Sequence, residues 1–299
     1  MNREGPPDRL RHISETLGTG GPAAALRRET RVESLVCSEC EQPYEAEVTI
    51  YWLFGKERAV RPRACSECRS QQQAEQARKM EETLRLERVA VREEWRRRCG
   101  IPEDFQLKTF DMFHRELQSD AFDTTFEWAD RFWVDGPRGY PSLLFYSDGP
   151  GVGKSHLMSA IANHIIHCWE GDPRHAICPV RFDSGPGLVR RVRATYNIPR
   201  DDQWHEREED VYADLRAVFL LMLDDMGKEK PSDHTREIYW HIIDERVKRG
   251  LPMVMSSNLP PQSLEQLMGG YAVDRLIGMT GGRVIDMTGP SYRKTRLVP

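Results

Sequence analysis

Three features of this 299-residue sequence predict an α/β fold with a parallel sheet, preceded by a small metal-bound module. A glycine-rich loop, SDGPGVGKSHL at 147–157, follows the apolar run Leu143-Leu144-Phe145-Tyr146 and precedes a helical pattern. From residue 104 onward, helical stretches alternate with short apolar runs at 142–146, 177–182, 218–223, 252–256 and 284–287. Such continuous apolar runs belong to strands covered on both faces. Two identical Cys-Ser-Glu-Cys pairs open at Cys37 and Cys65, and paired knuckles of this kind are a metal signature.

Taken in order, residues 1–34 are rich in Gly, Pro and charge without an apolar period and are expected to form a flexible tail. Residues 35–68 form the expected zinc-binding module, resembling a zinc ribbon, with a strand at 47–53, a turn at Gly55-Lys56 and a return strand at 59–63. A hairpin this small needs a staple. Residues 69–99 carry few breakers and place Ala77, Met80, Leu84 and Trp95 near one helical face, so a charged linker helix is expected. Gly100 and Pro102 stop it. The large domain then spans 100–299.

Composition narrows the function classes. Charged residues make up 30% of the chain, but the net charge is -4 and the pI is about 6.2, so a protein coating nucleic acid by bulk charge is excluded. No apolar run approaches the ~18 residues that span a bilayer, and MNREGPPDRLRHISETLGTGG at the start has no apolar signal core. No membrane partner and a cytoplasmic location are therefore expected. In that compartment four of the seven cysteines in two tight pairs point to metal rather than disulfides.

The chemistry resides in four patterns. In the loop Gly149-Pro150-Gly151-Val152-Gly153-Lys154-Ser155-His156, glycines let backbone N–H groups converge on a phosphate. Lys154 is suited to reach β/γ oxygens of ATP and Ser155 to join the Mg²⁺ shell. One departure is Asp148, where the usual G-x-x-x-x-G-K-[ST] pattern has glycine. The run Phe219–Leu223 ends in Asp224-Asp225, at the strand edge where ligands bind in open α/β sheets. Asp224 suits Mg²⁺ and Asp225 the attacking water; the short second carboxylate suggests slow turnover. Alone, such a pair equally suits a turn; 70 residues after Lys154 it reads as part of one site. Met253-Val254-Met255-Ser256-Ser257 delivers Asn258 to the same edge. Finally, Cys37, Cys40, Cys65 and Cys68 supply four thiolates for one tetrahedral Zn²⁺, with no open position for catalysis. The remaining Cys99, Cys168 and Cys178 read as buried thiols.

The order of phosphate loop, Asp-Asp strand, Ser-Ser-Asn-Leu, Asp274-Arg275-Leu276, Gly-Arg-Val-Ile and Ser291-Tyr292-Arg293 resembles the DnaC/DnaI and IstB clade of AAA+ ATPases, over roughly residues 100–297. That resemblance implies an AAA+ P-loop core with a reduced or absent lid, since eleven residues follow Thr288. It implies that Asn258 is a sensor 1 residue and Arg275 an arginine finger acting on a neighbouring copy in a homo-oligomer. It also implies that LVRRVRATYNIPRDDQWHERE, with Arg190, Arg191, Arg193, Tyr196 and Trp204, contacts single-stranded DNA; a solvated amphipathic helix fits the same residues. Lys294 and Arg296 would extend that basic surface. The function implied is ATP-dependent loading of a replicative hexameric helicase. An IstB-like transposition ATPase and a zinc-bearing, ATP-switched adaptor remain the alternatives.

Overall fold

The computed structural model describes residues 28–53, 56–196 and 205–295. The chain divides into two compact units, Met1–Glu81 and Glu82–Pro299.

The first unit contains an antiparallel sheet in the order β1 (Arg28–Val36), β2 (Pro43–Leu53), β3 (Lys56–Val60). The first strand corrects the expected tail, because residues 28–34 pair with β2 from Arg28↔Tyr51 onward. Its charged side chains hide the two-residue period. Arg31 and Arg61 both pair with Glu33 at 2.6 and 2.8 Å, so that β1 contributes an ion cluster to its sheet face. Val48 and Ala46, the cross-strand partners of Arg31 and Glu33 on the same face, are buried, as is Ile50. The return strand begins at Lys56, three residues before its expected start, because cross-strand pairing runs from Leu53↔Lys56. α1 (Ser66–Arg98) starts inside the second cysteine knuckle.

The second unit is built on five parallel strands: β4 (Leu143–Tyr146), β5 (Val180–Ser184), β6 (Leu220–Met226), β7 (Met253–Ser257) and β8 (Val284–Asp286), in the order β5-β6-β7-β4-β8. Alternate residues of β6 feed opposite cores. Leu220 and Met222 face a layer with α2 (Ser119–Asp135) and α3 (Lys154–His167), through Phe132, Ile161 and Ile165. Leu221 and Leu223 face α4 (Gly185–Ala194), α5 (Glu208–Ala217), α6 (Asp233–Arg249), α7 (Pro261–Met268) and α8 (Gly270–Met279). Both sheet faces are thereby buried, which accounts for the continuous apolar runs. After β8 the described residues add only the short α9 (Tyr292–Thr295).

The expected apolar stripe of α1 is corrected. Met80 is 62% exposed, Ala77 is also exposed, and Trp95 alone on this helix is buried. Trp95 meets Trp169 edge-on at 4.7 Å, and Arg88 and Arg92 donate to the Gly171 and Trp169 carbonyls. Arginine side chains fasten this helix together with Trp95 and Val91, which packs against the core. Cys168 also departs from expectation: it is exposed, whereas Cys99 is buried.

Candidate functional site

β4 sits between β7 and β8, so the strand order changes direction at its carboxyl end. That switch point is where a crevice forms in an open α/β sheet. The loop after β4 leads into α3, with Lys154 as its first residue. Gly151 and Gly153 take φ values of 85° and 109°, which side chains beyond glycine rarely adopt. A Cβ on Gly153 would lie 2.8 Å from Phe113 Cε2. The loop leads directly into the N-terminus of α3, the positive end of that helix. Asp148, in place of the usual glycine, is occupied by the Tyr146 hydroxyl, which donates to it.

Lys154 is buried. It donates to Asn258 Oδ1 at 2.6 Å and to the Ser147 hydroxyl. Burial holds its ammonium below the usual lysine range, opposed by the carboxylates of Asp225 and Asp224. The phosphate-loop lysine, the Asp-Asp edge and Asn258 are thus joined in one place. Lys154, Asp225 and Asn258 line a cavity of about 280 Å³ together with Pro150, Gly151, Gly153, Ser155 and His156. His156 donates to the Thr109 carbonyl at 3.0 Å, and burial pushes its imidazole below the ordinary histidine range.

The carboxylate edge depends on residues that the sequence reading missed. Asp224 accepts from the Ser256 hydroxyl, and Ser256 Oγ accepts from the Asp225 N–H at 2.9 Å. Ser257 donates to the Met226 carbonyl at 2.8 Å. These two serines bridge a register shift between Leu223 and Met226, and Asp225 takes a left-handed φ of 56° there. Lys228 Nζ lies 2.7 Å from Asp225 Oδ2. Buried Glu229 accepts from the Gly227 N–H at 2.7 Å and from the Tyr239 hydroxyl. At the far side of the cavity, the Tyr292 N–H donates to the Gly151 carbonyl at 2.9 Å, and its ring lies 5.4 Å from that of His114. The Ser256-Ser257 repeat and the Ser291-Tyr292-Arg293 stretch were both visible in the sequence as motifs, but the contacts they make here were not.

Arg275 lies on α8 and is not among the residues lining this cavity. It pairs with Asp244 and stands over the Trp240 ring at 4.6 Å. Of the expected basic surface, Arg191 is engaged by Glu206 and by Asp214. Arg193 donates to the hydroxyls of Ser232 and Thr235 at 3.3 and 3.2 Å. Arg190, Tyr196 and Lys294 are exposed, while Trp204 and Arg296 lie outside the described residues.

In the first unit, the sulfurs of Cys37, Cys40, Cys65 and Cys68 all lie within 4.8 Å of one another. Cys40 and Cys65 are 3.9 Å apart; Zn–S bonds of about 2.3 Å in a tetrahedron separate sulfurs by about 3.8 Å. The N–H groups of Cys40 and Cys65 draw the Cys37 thiol down to about 6. Hydrogen bonds with the Cys65 and Cys40 sulfurs push the Cys68 thiol well up. Four sulfurs this close need a cation to be charged together, and the donor set fits Zn²⁺.

Residues 109–277, more than half of the chain, match the model of the bacterial DnaA ATPase domain. The chain belongs to the bacterial DnaA ATPase domain family. The matched span holds the phosphate loop, Asp224, Asp225, Asn258 and Arg275, and leaves the cysteine module outside it. Within reach of this ATPase family are two kinds of relative. The replicative helicase loader DnaC of Buchnera aphidicola subsp. Acyrthosiphon pisum is 27% identical over 179 residues, 60% of this chain and 67% of its own. The chromosomal replication initiator DnaA of Thermodesulfovibrio yellowstonii is 27% identical over 155 residues, 52% of this chain and 31% of its own. A crystal structure of the DnaC helicase loader aligns with a TM-score of 0.49 at 21% identity, over 62% of this chain and 100% of that one. The resemblance to DnaC/DnaI-type AAA+ loaders read from the motifs is borne out. Membership of this ATPase family implies use of nucleotide and Mg²⁺. No described helix is long and apolar enough to cross a membrane.

Proposed function

We propose that the chain is an ATP-switched loader of a replicative hexameric DNA helicase. The observation that carries the reading is the meeting of Lys154, Asn258, Asp224 and Asp225 at one sheet edge, in a chain whose relatives include DnaC loaders. The loop amides and Lys154 bind the triphosphate, and Ser155 with Asp224 would hold Mg²⁺, which supplies charge at the β/γ oxygens. Asp225 orients the attacking water and takes its proton. The water oxygen bonds to the γ-phosphorus as the bond to the β-phosphate oxygen breaks, and ADP leaves. Asn258, held on Lys154, reports the γ-phosphate to β7.

Arg275 acts on the nucleotide of a second copy. Its absence from its own cavity supports this role, and Asp244 with Trp240 keeps it ordered until assembly. Arg190 and Tyr196 are the exposed pair available for a strand backbone and a base. The zinc module docks on the helicase, its fold fastened by the metal.

Co-elution with the replicative helicase of the same genome, in ATP and zinc, tests this reading. A complex that forms with the full chain and is lost on deleting residues 1–98 is the expected result. A chain that binds ATP but no helicase overturns the reading and moves it to the transposition ATPase.

A further inference from the structure

Lys228 has no part in the roles above, yet it occupies the most consequential position left in the cavity. Its ammonium lies 2.7 Å from Asp225 Oδ2, and it lines the same cavity as Lys154 and Asn258. The turn that carries it is fixed at both ends. On one side, Asp225 holds its left-handed conformation with its N–H on Ser256 Oγ. On the other, Glu229 accepts from the Gly227 N–H and from the buried Tyr239 hydroxyl. A Cβ on Gly227 would lie 2.6 Å from Leu259 Cδ1, so the backbone between the two acids is closely packed. The Lys228–Asp225 pair is thus set by the fold of the strand end rather than by a free surface lysine finding a partner.

We propose that Lys228 is a positioning residue that restrains hydrolysis by competing with water for Asp225. The inference rests on the reading of this cavity as an ATPase site and names what slows that site. A carboxylate that accepts a proton from water must offer an oxygen to it, and one of the two that Asp225 has, Oδ2, is offered to an ammonium. The pair is half-exposed, with side-chain exposures of 55% and 37%. Its hold on Asp225 is therefore modest and reversible, a brake on turnover rather than a block. A neutral side chain of similar length at 228 leaves the phosphate loop, Asp224 and Asn258 untouched and frees Oδ2, so that both oxygens of Asp225 are open to the water.

The test compares full-length wild type, Lys228→Met and Lys228→Arg, with Lys154→Ala as a control for contaminating activity. Steady-state turnover, KM, affinity for a fluorescent ATP analogue and melting temperature are read on each. The expected result is kcat raised about 1.5- to 5-fold in Lys228→Met, the range an exposed ion pair commands. KM and nucleotide affinity stay unchanged, and Lys228→Arg stays near wild type. Damage to the fold lowers kcat and does not produce this pattern. A raised KM with unchanged kcat assigns Lys228 to the phosphates and overturns the proposal, as does kcat unchanged or reduced. If wild type and Lys228→Met both bind ATP and neither hydrolyses it, the hydrolysis reading itself falls; if wild type turns over and Lys228→Met does not exceed it, only the restraint falls.

Discussion

Replacing Gly153 with alanine attacks the phosphate loop at the point where its geometry is tightest. Gly153 has φ 109°, and an added Cβ would meet Phe113 at 2.8 Å from Cε2 and 3.1 Å from Cζ. The backbone term is about 1–2 kcal/mol for a side-chain residue held at positive φ. Forcing a methyl into this packed contact adds about 1–2 kcal/mol, the low end for overpacking, since one ring edge must move. The sum is about 2–4 kcal/mol. If the loop relaxes to relieve it, the strain must be restored on binding, and nucleotide affinity falls about 30- to 1,000-fold. If the loop does not relax, the same energy appears as a lower melting temperature. Gly149 is the internal control: an added Cβ there meets nothing within 4 Å, and its φ is not in the left-handed region. Titration of a fluorescent ATP analogue into wild type, Gly149→Ala and Gly153→Ala, with melting curves on the same samples, reads both terms. Gly153→Ala that binds and melts like Gly149→Ala would refute the reasoning.

The remaining predictions concern the core, the metal and the assembly. Arg246 is 1% exposed and donates to the carbonyls of Leu215, Val218, Phe219 and Pro252; Arg246→Met strands those acceptors and should cost about 3–5 kcal/mol, seen as a melting temperature lower by roughly 6–20 °C. Purified protein should carry one zinc ion per chain by elemental analysis, and chelation or Cys37→Ser should remove the strand signal of residues 28–60 in amide exchange while the β4–β8 sheet stays protected. Arg275→Ala should bind ATP normally but lose about 10³-fold or more in turnover. Mixing Arg275→Ala with Lys154→Ala should restore part of that activity, because each chain then supplies what the other lacks.

The parallel sheet was legible because its strands are buried on both faces and read as apolar runs; β6 keeps Leu220 through Leu223 fully buried. The phosphate loop and the two strand-end motifs were legible because their residue types serve chemistry rather than packing. β1 was not, since its alternation is carried by Arg31 and Glu33, which form ion pairs on its sheet face. Arg246 reads as one more basic residue near the end of an amphipathic helix, and its burial follows from carbonyls supplied by segments up to 31 residues away. Lys228 reads as a turn lysine. Its meaning comes from the left-handed Asp225 beside it, a conformation that no local pattern announces. The basic stretch after β5 was legible as charge but not as surface, because Arg191 is consumed by Glu206 and Asp214.

Transfer of the helicase onto circular single-stranded DNA tests the central claim most directly. With the replicative helicase of the same genome, ATP, zinc and a circular strand bearing an annealed oligonucleotide, the wild-type chain should stimulate release of the oligonucleotide, and Lys154→Ala and the chain lacking residues 1–98 should not. Helicase activity that is unchanged by the wild-type chain, although that chain binds ATP and the helicase, would contradict the account.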